Sequence, residues 1–171
     1  ATIENLKRIA ETSNFLTEHG IGSMEELTER CEAAAASVQR LRAQIQETSA
    51  QLERLALVKK HTETYRRLKP VYDRYQASKD KEKFLRGYER EIILFEAAAR
   101  ECKRLGAVPL PSAARMQAEM DALTARRAVL TAERQKARRE EQDYAAVRRN
   151  VEEFLSPPRQ VPARQKDMEL E

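Results

Sequence analysis

Charged residues make up 35% of the 171-residue chain and aromatics 5%, with four glycines and no Trp. That mixture excludes a compact β-containing domain and points to long helices that bury seams rather than a spherical core. Two cysteines and two histidines are too few for a metal cluster at recognised spacing, so neither a zinc site nor a cofactor is expected. The net charge is +4, and eleven Lys/Arg stand against five Asp/Glu between positions 58 and 90.

In chain order, a first helix is expected over 3–18, with Leu6, Ile9, Ala10, Phe15 and Leu16 as its apolar side. His19-Gly20 ends it, glycine supplying the left-handed residue a helix terminus needs. Ser23 caps the next helix, and Glu26 three residues on completes a capping box. The short connection folds the first helix back as a hairpin on the second.

The helix over 24–68 organises the chain. Met24, Leu27, Cys31, Ala34, Val38, Leu41, Ile45, Thr48, Leu52 and Leu55 recur at alternating gaps of three and four, the heptad rule for a helix keeping one face on a partner. A helix of that length reaches roughly 65–70 Å at 1.5 Å per residue. The heptad slips at Val58, a stammer that overwinds a coiled coil locally. Pro70 lacks an amide hydrogen and disfavours helix at Lys69, which predicts a break and a separate short helix over 71–77.

Ser78 or Asp80 then caps a helix over 82–104, with Phe84, Tyr88, Ile92, Phe95, Ala99 and Cys102 on one side. It either folds back along the second helix or extends beyond it. Gly106, Pro109 and Pro111 make a linker, and Ser112 caps a last helix over 113–155. Its seam reads Met116, Met120, Leu123, Leu130, Ala137, Tyr144, Val147, Val151 and Phe154, with Arg127, Arg134 and Glu141 at seam positions. The prolines from Pro157 onward predict a disordered tail over 157–171.

The expected fold is all-α: a single elongated module over 1–156, an antiparallel helical hairpin with a coiled-coil-like stem and shorter helices at base and head. The near-equal lengths of the two long helices favour a monomeric hairpin. A homodimer is the alternative, with Thr48, Arg127, Arg134 and Glu141 setting register. No apolar run approaches the ~18 residues that span a bilayer, and Glu4, Lys7 and Arg8 break up any signal-peptide core. A cytoplasmic location without membrane contact is the expectation.

Catalysis is hard to assemble. His61 lies within Lys59-Lys60-His61 and His19 at a helix end, neither beside a nucleophile. Carboxylate pairs such as Glu140-Glu141 follow from composition, and four scattered glycines make no phosphate loop. No catalytic residue is assigned. Cys31 and Cys102 fall on apolar faces and read as buried thiols.

The basic clusters are the better lead. Lys59, Lys60, Arg66, Arg67 and Lys69 crowd the distal part of the long helix, followed by Lys79, Lys81, Lys83 and Arg86. Interleaved with Tyr65, Tyr72 and Tyr75, they have the make-up of a single-strand or non-specific DNA surface. A solvated charged helix whose tyrosines are core explains the same residues.

Four passages carry a family resemblance. They are Asn14-Phe15-Leu16 with Gly20-Ile21 and Ser23-Met24-Glu25-Glu26-Leu27; Tyr65-Arg66 with Lys69-Pro70-Val71-Tyr72; the run 79–84 with Glu91-Ile92-Ile93-Leu94-Phe95-Glu96-Ala97-Ala98; and Val147-Arg148-Arg149-Asn150-Val151. Together they resemble the region that follows the nuclease domain in relaxase/mobilisation proteins of integrative elements from Gram-positive gut bacteria. The resemblance implies a non-catalytic helical accessory region in conjugative DNA mobilisation, acting through DNA or through other proteins of the transfer complex. The family's nuclease uses a tyrosine nucleophile and a metal held by a histidine cluster. This chain has no such cluster, and none of its tyrosines is assigned as a nucleophile. The alternative is a coiled-coil spacer or protein-interaction scaffold without nucleic-acid contact.

Overall fold

The computed structural model describes residues 2–156; the expected disordered tail lies outside them. The described residues are all helix and connection, in the order α1 (Ile3–Glu18), α2 (Met24–Ala77), α3 (Lys81–Arg104) and α4 (Ala113–Leu155). Contacts group them into two compact units, one drawn from 2–38 with 136–156 and the other spanning Gln39–Gln135.

Local chemistry sets each boundary. α1 closes with Gly20 at φ 63°, where Ile21 N–H donates to the Leu16 carbonyl and Gly20 N–H to that of Thr17. α3 closes identically: Gly106 at φ 70°, Ala107 N–H to Cys102 and Gly106 N–H to Lys103. Both are Schellman motifs, and each brings its customary apolar pair, Leu16 with Ile21 and Cys102 with Ala107, into a core cluster. At the start of α2, Glu26 N–H donates to Ser23 Oγ (3.1 Å) while the Glu26 carboxylate accepts from Gly22 N–H (2.7 Å). The reciprocal bond lands one residue earlier than a capping box prescribes. Asp80, not Ser78, caps α3 through Lys83 N–H, and Ser112 caps α4 through Arg115 N–H.

In the unit of 2–38 with 136–156, Leu27, Tyr144 and Val147 are the buried centre, with Phe15, Leu16, Ile21, Met24 and Val151 against them. The first residues of α2 thus meet the last turns of α4. The expected apolar side of α1 is only partly correct. Phe15 and Leu16 pack inward, but Leu6 (57% exposed) and Ile9 (44%) face out, and the buried residue is Thr12. Thr12 suits that place because it donates to the Arg8 carbonyl and accepts from Asn150, which leaves its own hydroxyl fully partnered. Phe154, expected in the seam of α4, is on the surface beneath the Arg8 guanidinium.

In the other unit, late α2 meets early α4: Val58, Cys102, Ala107 and Met116 form the buried cluster, and Thr62 is sealed against the Met116 sulfur. The helix packing in both units is consistent with a hairpin-like arrangement. α3 folds back along α2, as Phe95 stacks on Tyr72 and lies against Tyr65 while Cys102 reaches Val58. Every seam position of α2 from Met24 to Leu55 is buried or half-buried, and Arg127, Arg134 and Glu141 of α4 are half-buried too. α3 bends once, at Tyr88 (φ −136°, ψ 22°), which the sequence did not announce.

The expected break at Pro70 is corrected: α2 runs unbroken from Met24 to Ala77 with Pro70 inside. Proline removes one amide donor and crowds the carbonyl four residues back, here that of Arg66. Pro70 is exposed, so water can satisfy that carbonyl, while Leu68 is buried and Tyr72 stacks on Phe95. Burial on both sides of the proline outweighs the lost bond.

Two tests follow. Pro70→Ala should stabilise the protein by about 2 kcal/mol, the ~3 kcal/mol helix penalty of proline less ~1 kcal/mol of added unfolded-chain entropy, read as a higher urea midpoint. Burial raises the Cys31 and Cys102 thiols above their ordinary pKa, opposed at Cys31 chiefly by Arg148 and at Cys102 by Arg66. Less thiolate then exists at any given pH, and the folded state holds protons that the unfolded chain releases above about pH 8.5. A disulfide reagent at pH 8 should therefore label native protein slowly, Cys102 slowest, and both at ordinary rates in denaturant; stability should fall as pH rises past that point.

Candidate nucleic-acid interface

All nine cations singled out from the sequence lie in the 39–135 unit, but the structure deals with them in different ways. Lys59 Nζ donates to Gln117 of α4 (3.0 Å) and sits 4.0 Å from Glu63. Arg66, one helical heptad on, donates to the Pro111 carbonyl in the linker. These two fasten α2 to the segment that begins α4. Lys69 is held by both Asp73 oxygens at 3.0 Å, a hydrogen bond and charge that raise its pKa.

Lys60 and Arg67 are exposed and have no ion pair among the described residues. They lie seven residues apart, as do Arg67 and Arg74, and positions separated by seven fall almost on one line of a helix. Continuity through Pro70 carries that line unbroken, so Lys60, Arg67 and Arg74 stand about 10.5 Å apart along α2. Arg74 was missed by the sequence reading, since a break at Pro70 would have removed it from the row. From 60 to 77 the carboxylates of α2 are Glu63, which sits 4.0 Å from Lys59, and Asp73, bound to Lys69.

The second group clusters at the turn between α2 and α3. Lys81 lies over the Tyr75 ring (5.7 Å) and Arg74 over the Tyr88 ring (5.4 Å), so the two helices meet there through cation–π contacts. Lys79 and Lys83 are exposed without an ion pair among the described residues, whereas Arg86 lies 3.9 Å from Glu82, both well solvated. Such exposed pairs contribute little and open readily to a stronger anion.

The tyrosines do not form an open stacking platform. Tyr65 and Tyr72 are half-buried against Phe95 at 4.7 and 4.3 Å, and Tyr75 packs beside Tyr72 and Phe84. Their rings belong to the core between α2 and α3; of the five, only Tyr88 is classed as exposed.

His19 stacks on Phe15 with its Nδ1 2.8 Å from the Phe15 carbonyl, and its ring lies 5.7 Å from that of Tyr144. Among the described residues no group of three or more His, Cys, Asp or Glu is placed to hold a metal ion, and no helix is long and apolar enough to cross a membrane. Comparison with protein-family models, with curated proteins and with solved structures finds no match to this chain.

Proposed function

We propose that this chain is a non-catalytic helical accessory region of a conjugative relaxase/mobilisation protein, and that it assists DNA processing by gripping the phosphate backbone without reading sequence. One observation carries the DNA part: Lys60, Arg67 and Arg74 form a cationic row on α2, all three exposed and without an ion pair among the described residues. Duplex DNA carries one negative charge per ~1.7 Å of axis, so a row spaced at about 10.5 Å meets phosphates in any register. Lys79 and Lys83 extend the cationic area at the turn. With Tyr65, Tyr72 and Tyr75 occupied in the core, base stacking contributes little, and duplex and single strand should bind through charge alone. The relaxase part rests on the resemblance described above.

A scaffold reading is favoured by different residues: Ile3, Leu6 and Ile9 on α1, and Ile93 and Leu94 on α3, are exposed. These are patches of the kind that protein partners cover.

Anisotropy titrations with labelled duplex and single-stranded oligonucleotides across a salt series separate the two. Four to five phosphate contacts should give a log–log salt slope of about −4 on duplex. Lys60→Glu with Arg67→Glu should weaken binding more than about tenfold and flatten the slope by roughly 2, helicity unchanged. Arg66→Gln, tied to the linker carbonyl, should change affinity far less. Absence of binding at low salt, or an affinity the double variant leaves intact, would overturn the DNA reading in favour of the scaffold.

A further inference from the structure

Within the 39–135 unit, the linker between α3 and α4 stands off α2 and borders a cavity of about 390 Å³ that opens to solvent. Its construction is fixed by bonds at both ends of the linker. Arg54 Nη2 donates to the Leu105 carbonyl (3.0 Å), Arg66 donates to that of Pro111, and Gly106 turns the chain at φ 70°. Pro109 and Pro111 supply rigid rings to the wall. The hollow is therefore held open by the fold and does not have to be created by a ligand.

The lining combines apolar and charged side chains. Leu55, Val58, Ala107 and Met116 make an apolar floor continuous with the buried cluster of the unit. Arg54, Arg115 and Glu119 stand on the polar side. Arg54 uses one of its five N–H donors on Leu105, and Arg115 has no ion pair among the described residues. Two guanidinium groups against one carboxylate leave an excess of one positive charge beside an apolar pit. An apolar floor with a few convergent polar groups, at this volume, is the usual make-up of a small-molecule site.

We propose that this cavity binds a small apolar monocarboxylate, its hydrocarbon body on Val58, Ala107 and Met116 and its carboxylate on the Arg115 fork. Guanidinium matches carboxylate in a planar, two-point fashion that a neutral head group cannot reproduce. Glu119 repels a second negative charge, which disfavours dianions such as phosphate monoesters. The site is independent of the cationic row on α2.

The test uses the whole chain with methyl-labelled Ala and Met, titrated with 3-phenylpropionate and, separately, with the neutral 3-phenylpropanol and with phenyl phosphate. The Ala107 and Met116 methyl resonances should shift with 3-phenylpropionate, and the alcohol and the phosphate should bind at least about tenfold more weakly. Arg115→Gln, a change at an exposed position, should abolish the preference for the acid over the alcohol while leaving the spectrum of the folded protein in place. Shifts absent from both methyls at about millimolar ligand, equal binding of acid and alcohol, or an acid preference unaffected by Arg115→Gln would each overturn the proposal.

Discussion

The 3.5-residue apolar repeat of α2 is the constraint on which the remaining structure depends. It places Leu27 in the core of one unit, and after the slip at Val58 the apolar face continues into the core of the other; both units need α4 to cover it. Small polar residues interrupt the repeat without breaking it. Thr48 and Thr62 are buried at 3% and 0% exposure, and each returns its hydroxyl to a carbonyl of its own helix, Gln44 and Lys59. A threonine satisfied in this way adds no polar burden to the seam and still fills the space of a valine. The heptad can therefore tolerate substitutions that a hydrophobicity count would treat as faults.

The helix ends matter as much as the seam, because a misplaced turn would set α1 or α3 on the wrong face of α2. Both closing motifs use a glycine at positive φ, and at both the residue after the glycine packs into a core cluster. An L-residue at Gly20 or Gly106 would be strained in that conformation even where space is open. Direction of the chain and burial of the next apolar side chain are thus set by the same three residues. At Gly106 the geometry also decides where the linker begins, and so where the cavity beside Arg54 opens.

Much of this was legible in the residues. Gly20, Ser23, Glu26, Gly106 and Ser112 announce helix ends through short-range chemistry, which reads reliably because it needs no knowledge of distant contacts. Three features did not announce themselves. Pro70 signals a break, yet tertiary burial of Leu68 and Tyr72 keeps the helix intact. Leu6 and Ile9 have helical spacing, but the face of α1 that is buried is chosen by Thr12 bonding to Asn150, 138 positions away. Tyr88 bends α3 with no glycine or proline at its own position, although Gly87 precedes it.

The candidate surface shows why a cluster of cations in sequence is not yet a cluster of available charge. Lys59 and Arg66 are spent on tying α2 to α4 and the linker, and Lys69 on Asp73, whereas Lys60 and Arg67, adjacent to two of these, carry no such bond. Helical phase separates Lys59 and Arg66 from Lys60 and Arg67: a one-residue step rotates a side chain by 100°, from the flank that meets α4 and the linker to open solvent. On α2, Lys59 and Arg66 are the fasteners and Lys60 and Arg67 face solvent; Arg74, exposed and over the Tyr88 ring, continues their line only because α2 passes through Pro70. The residue that looked like a helix breaker is thus the one whose tolerance extends the charged row.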